Sequence, residues 1–314
     1  MDVVSICKQL QKNIQRENMA GVVHSVFDSA FNVITSDNEF VTFIIFNKPM
    51  APSSIKLSDN KSYLKMGIES GMRIYFYNEY AWLESLNISF KYGTSLPWDK
   101  SPVFSYFKDN IENVYSKLNI INKFLKTYGK MEGILSLLTT LNESYIGLEL
   151  NSNESHTLDK KEQFIKDRFL SFIEAYSQEC NTCIADRVKN IIGFGAGLTP
   201  SMDDFISGLM ISRIYLHDYL NKDVNLCYKF NEQMINKIGQ KTTKVSEEML
   251  KLSSKGEVNE QLRNLVLSLI SNATIEELVH NLEAVSSFGE TSGTDIISGI
   301  YIGSKIALNQ YSRR

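Results

Sequence analysis

Along the first hundred positions apolar and polar residues alternate in short runs, and after that the repeat lengthens. From Gly21 to about Asn78, the stretches GVVHSVFDSAFNVI, FVTFIIF and GMRIYFYN are rich in Val, Ile, Phe and Tyr and are separated by TSDNE and NKPMAPSS. Such runs bounded by turn formers predict half-buried strands. Beyond Val103, FSYFKDNIENVYSKLNIINKFLK, DKKEQFIKDRFLSFIEAYSQE and NEQLRNLVLSLIS place apolar residues three and four apart, which predicts helices. The change falls at GTSLPWDKSP, residues 93–102, which holds two of the five prolines and closes the strand region. The expected fold class is therefore α+β, with an N-terminal helix plus a small antiparallel β-domain over 1–102 and a larger α-helical domain over 103–314. The N-terminal helix is expected from the spacing of Val3, Ile6, Leu10 and Ile14. LNSNESHTLDK, residues 150–160, is the most polar connector and is read as a surface loop.

Composition narrows the classes. The 314 residues are 43% hydrophobic and 22% charged, enough apolar material for one or two cores. A formal net charge of −3 with scattered basic residues leaves no footprint for a phosphate backbone, so a nucleic-acid partner is not expected. No apolar run approaches the ~20 residues of a membrane span. The N-terminus lacks the apolar core of a secretory signal, so the expected setting is the cytoplasm. Of the four cysteines, Cys180 and Cys183 form a CxxC, a redox pair or half a zinc site. No second CxxC accompanies it, and His24, His156, His217 and His280 are far apart in sequence.

The chemistry-bearing stretch is GFGAGLTPSMDDFISG, residues 193–208. SMDDFISGL at Ser201 and SGTDIISGI at Ser292 share Ser-x-x-Asp-x-Ile-Ser-Gly, so two helices are expected to begin alike. Each can be closed by a capping box, Ser201 with Asp204 and Ser292 with Asp295. Alternatively Gly193, Gly195 and Gly197 expose backbone amides that hold an anion at a helix start. Capping leaves Asp203 unexplained; with Asp204 and Asp295 it makes a hard-oxygen Mg²⁺ site a further possibility. Lys241, Thr242, Thr243 and Ser246 in KTTKVSEEML supply a cation and three hydroxyls, suited either to an oxyanion or to a capped, solvated helix. His24 lies in a strand beside Ser25, where a satisfied sheet residue is the plain reading and an acid or base the functional one. No Ser-His-Asp order and no HExxH appear.

Taken in order, VHSVF, GFGAGLTPSMDDFISG, TTKVSEEMLKLSSKGE and FGETSGTDIISGIYIG resemble the AllH-type subunit family of oxamate carbamoyltransferase over most of the chain. The resemblance implies transfer of a carbamoyl group between carbamoyl phosphate and oxamate, with oxalurate and phosphate on the other side. It implies a three-component assembly with an FdrA-like partner and other subunits in allantoin and purine catabolism, and no cofactor, Mg²⁺ being the alternative. Under it, Gly195, Gly197 and Thr199 serve the phosphate, Thr291, Ser292 and Gly293 at the second helix start serve the oxyanion or the carboxylate of oxamate, and Gly193, Ser201, Asp295 and the Lys241, Thr242, Thr243 and Ser246 group complete the candidate substrate- and phosphate-binding set. Asp203 or Asp204 orients the amine or takes its proton, with His24 a further candidate acid or base. The alternatives are a non-catalytic assembly or regulatory subunit and a Mg²⁺-dependent phosphohydrolase. Met202 stands where the family motif GLTPSGDD has glycine, which is expected to narrow the approach to the helix start and to forbid a positive φ there.

Overall fold

Strands β1 (Val3–Cys7), β2 (Met19–Val26), β3 (Ala30–Thr35), β4 (Phe40–Ile44), β5 (Ser54–Leu57), β6 (Arg73–Phe76), β7 (Tyr80–Leu83), β8 (Ile88–Lys91) and β9 (Leu96–Trp98) form one sheet. Their order is β8-β7-β6-β2-β3-β4-β5-β1-β9. Six of the eight neighbouring pairs are antiparallel, four of them between consecutive strands, while β4 with β5 and β1 with β9 run parallel. The sheet curls until its far edge meets the chain start, where the Lys91 amide donates to the Met1 carbonyl at 2.8 Å. Phe31, Phe43, Phe76 and Phe90 fill the inside, Phe31 stacked on Phe43 at 4.5 Å. Alternation in β3 sends Phe31, Val33 and Thr35 inward, as a period of two requires.

The N-terminal expectation needs correction. Val3 and Ile6 belong to β1, and only Leu10 and Ile14 are buried by a helix, α1 (Lys8–Arg16). The β-branched run Val3-Val4 and Ile6 suits a strand, and pairing Ile6 with Ile55 of β5 fixes it in the sheet. The GTSLPWDKSP stretch likewise contains β9, which tolerates Pro97 because it is an edge strand with one neighbour, β1.

The computed structural model describes residues 1–16, 19–138 and 160–312, and most of the polar connector 150–160 lies outside them. The described chain divides into one unit of residues 1–101 with 258–260 and a second of 102–257 with 261–314. The second unit holds α2 (Ile111–Tyr128), α3 (Leu135–Leu138), α4 (Lys160–Ser177), α5 (Ile184–Lys189), α6 (Ser201–Tyr219), α7 (Val224–Ile235) and α8 (Lys244–Ser253). It continues with α9 (Glu260–Ile270, entering after its first residue), α10 (Ile275–Ser286) and α11 (Ser292–Ser312). The helical-looking run around the CxxC is two helices, α4 and α5, separated by a turn in which Glu179 has φ 52°. Cys180 and Cys183 are joined to each other within it. No helix among the described residues is long and apolar enough to cross a membrane.

Helices α6 and α11 carry the repeat and form the centre of this unit. Every residue of α6 except Asp218 is buried, as expected for a helix enclosed on all sides. The two run side by side in the same direction, with Gly208 against Gly299 and Ser212 against Gly303. A Cβ on Gly208 would fall 2.2 Å from the Ile296 carbonyl oxygen, and one on Gly299 2.1 Å from that of Phe205. Glycine is required at both points because backbone touches backbone. Parallel packing in equal register brings both helix starts to the same end.

Candidate functional site at two paired helix starts

The hydroxyls at the two starts bond across the helix pair. Thr199 Oγ1 lies 3.0 Å from Ser292 Oγ, and Ser201 Oγ lies 3.3 Å from Thr291 Oγ1. The N-cap of α6 is Pro200 and has no side-chain cap bond. The expected closure of each helix by its own Ser-x-x-Asp box is therefore replaced by an exchange. Ser292 and Thr199 act on the carboxyl of Asp204, while Ser201 and Thr291 act on that of Asp295.

Asp203, Asp204 and Asp295 are all buried, but their surroundings differ. Asp203 accepts from the Gly193 amide at 2.7 Å, from Ser246 Oγ at 2.6 Å and from the Thr242 hydroxyl. Burial raises its pKa and these three donors pull it back. Asp203 thus ties the glycine-rich loop and the start of α8 to α6. Asp204 Oδ2 and Asp295 Oδ2 have no hydrogen-bond partner among the described residues. Burial, reinforced by the neighbouring Asp295 and Asp203 charges, pushes Asp204 well above the carboxylate range against the Ser292 and Thr199 hydroxyls. Burial also raises Asp295, to about 6, with the Ile134 amide, the hydroxyls and Lys130 opposing it.

The shift at Asp295 makes stability depend on pH with a definite sign. An Asp295 carboxyl that titrates at 3.8 in the unfolded chain and near 6 in the folded one binds more protons folded than unfolded between those values. Stability then falls as pH rises through that window. Asp295→Asn is expected to remove about 3 kcal/mol of that pH-dependent loss, measured as the difference between variant and parent in urea unfolding at pH 4 and pH 7.

Several sequence-predicted donors are already committed within the protein. Besides Thr242 and Ser246, Thr243 caps α8 through the Ser246 amide and donates to the Leu198 carbonyl. The Lys241 ammonium turns to the Lys189 carbonyl at 3.4 Å. The KTTKVSEEML segment therefore braces the loop, and its three hydroxyls are not presented to an anion. The Gly193 amide is held by Asp203, and the Gly293 amide donates to the Phe288 carbonyl at 3.1 Å. Neither is a free donor. Gly193, at φ 77°, is needed for the loop's close approach to the Lys241 carbonyl, 2.2 Å from where a Cβ would lie. Gly195, Ala196 and Gly197 remain exposed, with Thr199, Thr291 and Ser292 half-buried beside the acids' end of the helices. Among the described residues no group of three or more His, Cys, Asp or Glu is placed to hold a metal, so the three aspartates do not converge on one point.

His24 belongs to the first unit, on β2. It is exposed, with Nδ1 3.3 Å from Ser25 Oγ and its ring edge-on to Phe40 at 5.4 Å. It borders a cleft of about 650 Å³ on the sheet with Arg73 and Tyr75.

Met202 does not stand in the approach. It is fully buried in the first turn of α6, in a helix that asks for no positive φ, and its amide donates to the Phe194 carbonyl at 3.0 Å. The side chain is buried in the core, while the loop itself lies over the helix start, Gly195 so close to the Ser201 amide that a Cβ would fall 2.4 Å from it. Met202→Gly is accordingly expected to destabilise by roughly 3–5 kcal/mol, combining a cavity with a helical glycine. A urea midpoint equal to the parent's would contradict that placement.

Sequence reasoning missed a third element, the turn YGKMEGI between α2 and α3. The Ile134 amide donates to Asp295 Oδ1 at 2.7 Å, and the Lys130 amide to Thr294 Oγ1 at 3.3 Å. A Cβ at Gly133 would fall 2.1 Å from Asp295 Oδ1, so this turn can reach the acid only with glycine there. Two glycines flanking a lysine between helical runs were the available signal.

The fold and site together define an α+β protein whose helical unit pairs two duplicated helix starts around two buried, incompletely bonded carboxyls. Residues 191–304 match the family model described as oxamate carbamoyltransferase subunit AllH, and residues 2–95 match that of the AllH family N-terminal domain. The chain belongs to the AllH family. No curated protein and no solved structure gives a significant match. The family's name is that of a subunit, which implies a multi-subunit complex.

Proposed function

We propose that the paired starts of α6 and α11 form a substrate site for moving a carbamoyl group between carbamoyl phosphate and oxamate, within an assembly containing an FdrA-like partner. The observation that carries this reading is the pair of buried oxygens, Asp204 Oδ2 and Asp295 Oδ2, that lack partners among the described residues. An unpaired buried polar atom costs folding free energy, and a ligand with N–H groups would satisfy both. The carbamoyl and oxamate amides have such groups, and both substrates also carry anionic oxygens suited to a helix start.

In the synthetic direction the oxamate nitrogen attacks the carbamoyl carbon, a C–N bond forms, and the C–O bond to phosphate breaks with its electron pair leaving on phosphate. The proton lost from nitrogen passes to an Asp204 carboxylate; in the reverse direction protonated Asp204 returns it to the departing nitrogen. Burial raises the Asp204 carboxyl above its usual range, the direction that suits a proton carrier. Asp203, with three donors, is assigned to holding the loop.

Co-expression with the partner subunits tests the reading. Phosphate-dependent cleavage of oxalurate is expected with this chain and not without it. Full activity in its absence would place the chemistry elsewhere in the complex. A structural role has one observation in its favour, the commitment of Asp203, Thr242, Thr243 and Ser246 to internal bonds, and that outcome would support it.

A further inference from the structure

We infer that Cys180 and Cys183 are a reversible oxidation site that exchanges with a small-molecule disulfide, and that their state sets how firmly Glu179 holds Arg213 of α6. The inference is independent of the substrate reading above. The two cysteines are bonded, with Cα atoms 5.6 Å apart and only Asn181 and Thr182 between them. Both are half-buried and the residues between them are exposed, so a small thiol can reach the bond. Cys7 and Cys227 are free but buried, and burial pushes the Cys227 thiol up to about 12. Neither competes. Among the described residues no group of three or more His, Cys, Asp or Glu is placed to hold a metal, which sets aside half a zinc site.

Backbone hydrogen bonds shape the turn without the sulfurs. The Cys180 amide donates to the Ala175 carbonyl at 2.9 Å, and the Cys183 and Ile184 amides donate to the Cys180 carbonyl at 3.3 and 3.0 Å. These bonds keep the two thiols within reach after reduction, so reclosure is an intramolecular step at high effective concentration. In oxidation, the thiolate of one cysteine attacks a sulfur of the small-molecule disulfide, whose S–S bond breaks, and one thiol departs with the electron pair and takes up a proton. The second thiolate displaces the other thiol from the mixed disulfide and closes the ring. Two cysteine thiols are oxidised and one disulfide is reduced to two thiols.

Glu179 is the mechanical link. Its φ of 52° lies in a region that disfavours residues with a Cβ and persists where the surroundings hold it. Its carboxylate pairs at 2.9 Å with Arg213, whose side chain is 6% exposed and lies over the Phe230 ring at 4.3 Å. The bond at Cys180, next in the chain, is one restraint on that φ. Opening it lets Glu179 relax and leaves a buried guanidinium less well paired.

The test holds the full chain in glutathione buffers from fully reduced to fully oxidised and reads native thiol labelling, intact mass and thermal midpoint. Labelling is expected to fall from two sites to none in one two-electron transition, with loss of two hydrogens in mass. The midpoint is expected to rise by about 2–4 °C on oxidation, and by less in Glu179→Gln. The double variant Cys180→Ser, Cys183→Ser is expected to respond to neither buffer. A pair that stays closed in fully reduced glutathione, or open in fully oxidised glutathione, overturns the oxidation site, as does a response that survives in the double variant. An equal rise in Glu179→Gln and the parent, or no rise in the parent, overturns the link to Arg213.

Discussion

Asp204→Asn in the assembled complex lowers turnover by about two to four orders of magnitude, the usual contribution of a positioned acid or base, without lowering the thermal midpoint. The stability half of this expectation follows from protonation. Burial raises the Asp204 carboxyl above its usual range and so disfavours its charged form, and an amide of the same shape in its place leaves no acid to be charged there. The activity half follows because asparagine can orient an N–H group but cannot carry its proton. Initial rates of phosphate-dependent oxalurate cleavage and a melting curve on the same preparation decide it. Parental turnover would remove the carboxyl from the chemistry. A large fall in midpoint with proportional loss of folded protein would make Asp204 a packing residue.

Gly299→Ala has the largest expected effect on the folded state. Its new methyl would sit 2.1 Å from the Phe205 carbonyl oxygen and 3.0 Å from Gly208 Cα. Overpacking usually costs about 1–3 kcal/mol because side chains yield; here the obstacles are backbone of a helix enclosed on all sides, so about 3 kcal/mol or more is expected. Separating the helices would also part Thr199 from Ser292 and Ser201 from Thr291, so activity should fall in whatever protein still folds. Gly197→Ala is the control: a Cβ there meets nothing within 4 Å, and only the positive φ of 90° opposes it. Equal urea midpoints for Gly299→Ala and the parent would sink the helix crossing on which the site depends.

Much of the site was legible because the helix starts repeat. Ser201, Asp204, Ser292 and Asp295 occupy matching places in two copies of one motif, and equal register along parallel helices brings such copies together. What the motif could not reveal was the exchange of partners, because a Ser-x-x-Asp box looks the same whether its hydroxyl serves its own helix or a neighbour. Adjacent Asp203 and Asp204 were likewise indistinguishable. About 100° of helical rotation per residue sends one toward Gly193, Thr242 and Ser246 and the other toward Ser292. Met202 misled for the same reason, since a position next to the loop in sequence points into core.

The alternating and three-to-four spacings were sufficient for a strand-rich half and a helical half, because the two periods follow from the side-chain directions of strand and helix. They failed at Val3 and Ile6, whose spacing fits a helix while their pairing with β5 and β9 is long-range and invisible locally. By itself the sequence determined the elements, the duplicated helix starts and the family they resemble. Only the tertiary structure decided which oxygens are satisfied and which are left open, and that Lys130, Gly133 and Ile134 reach Asp295 at all. Hydrogen-bond completion depends on atoms brought together from distant parts of the chain, and no local pattern encodes that meeting.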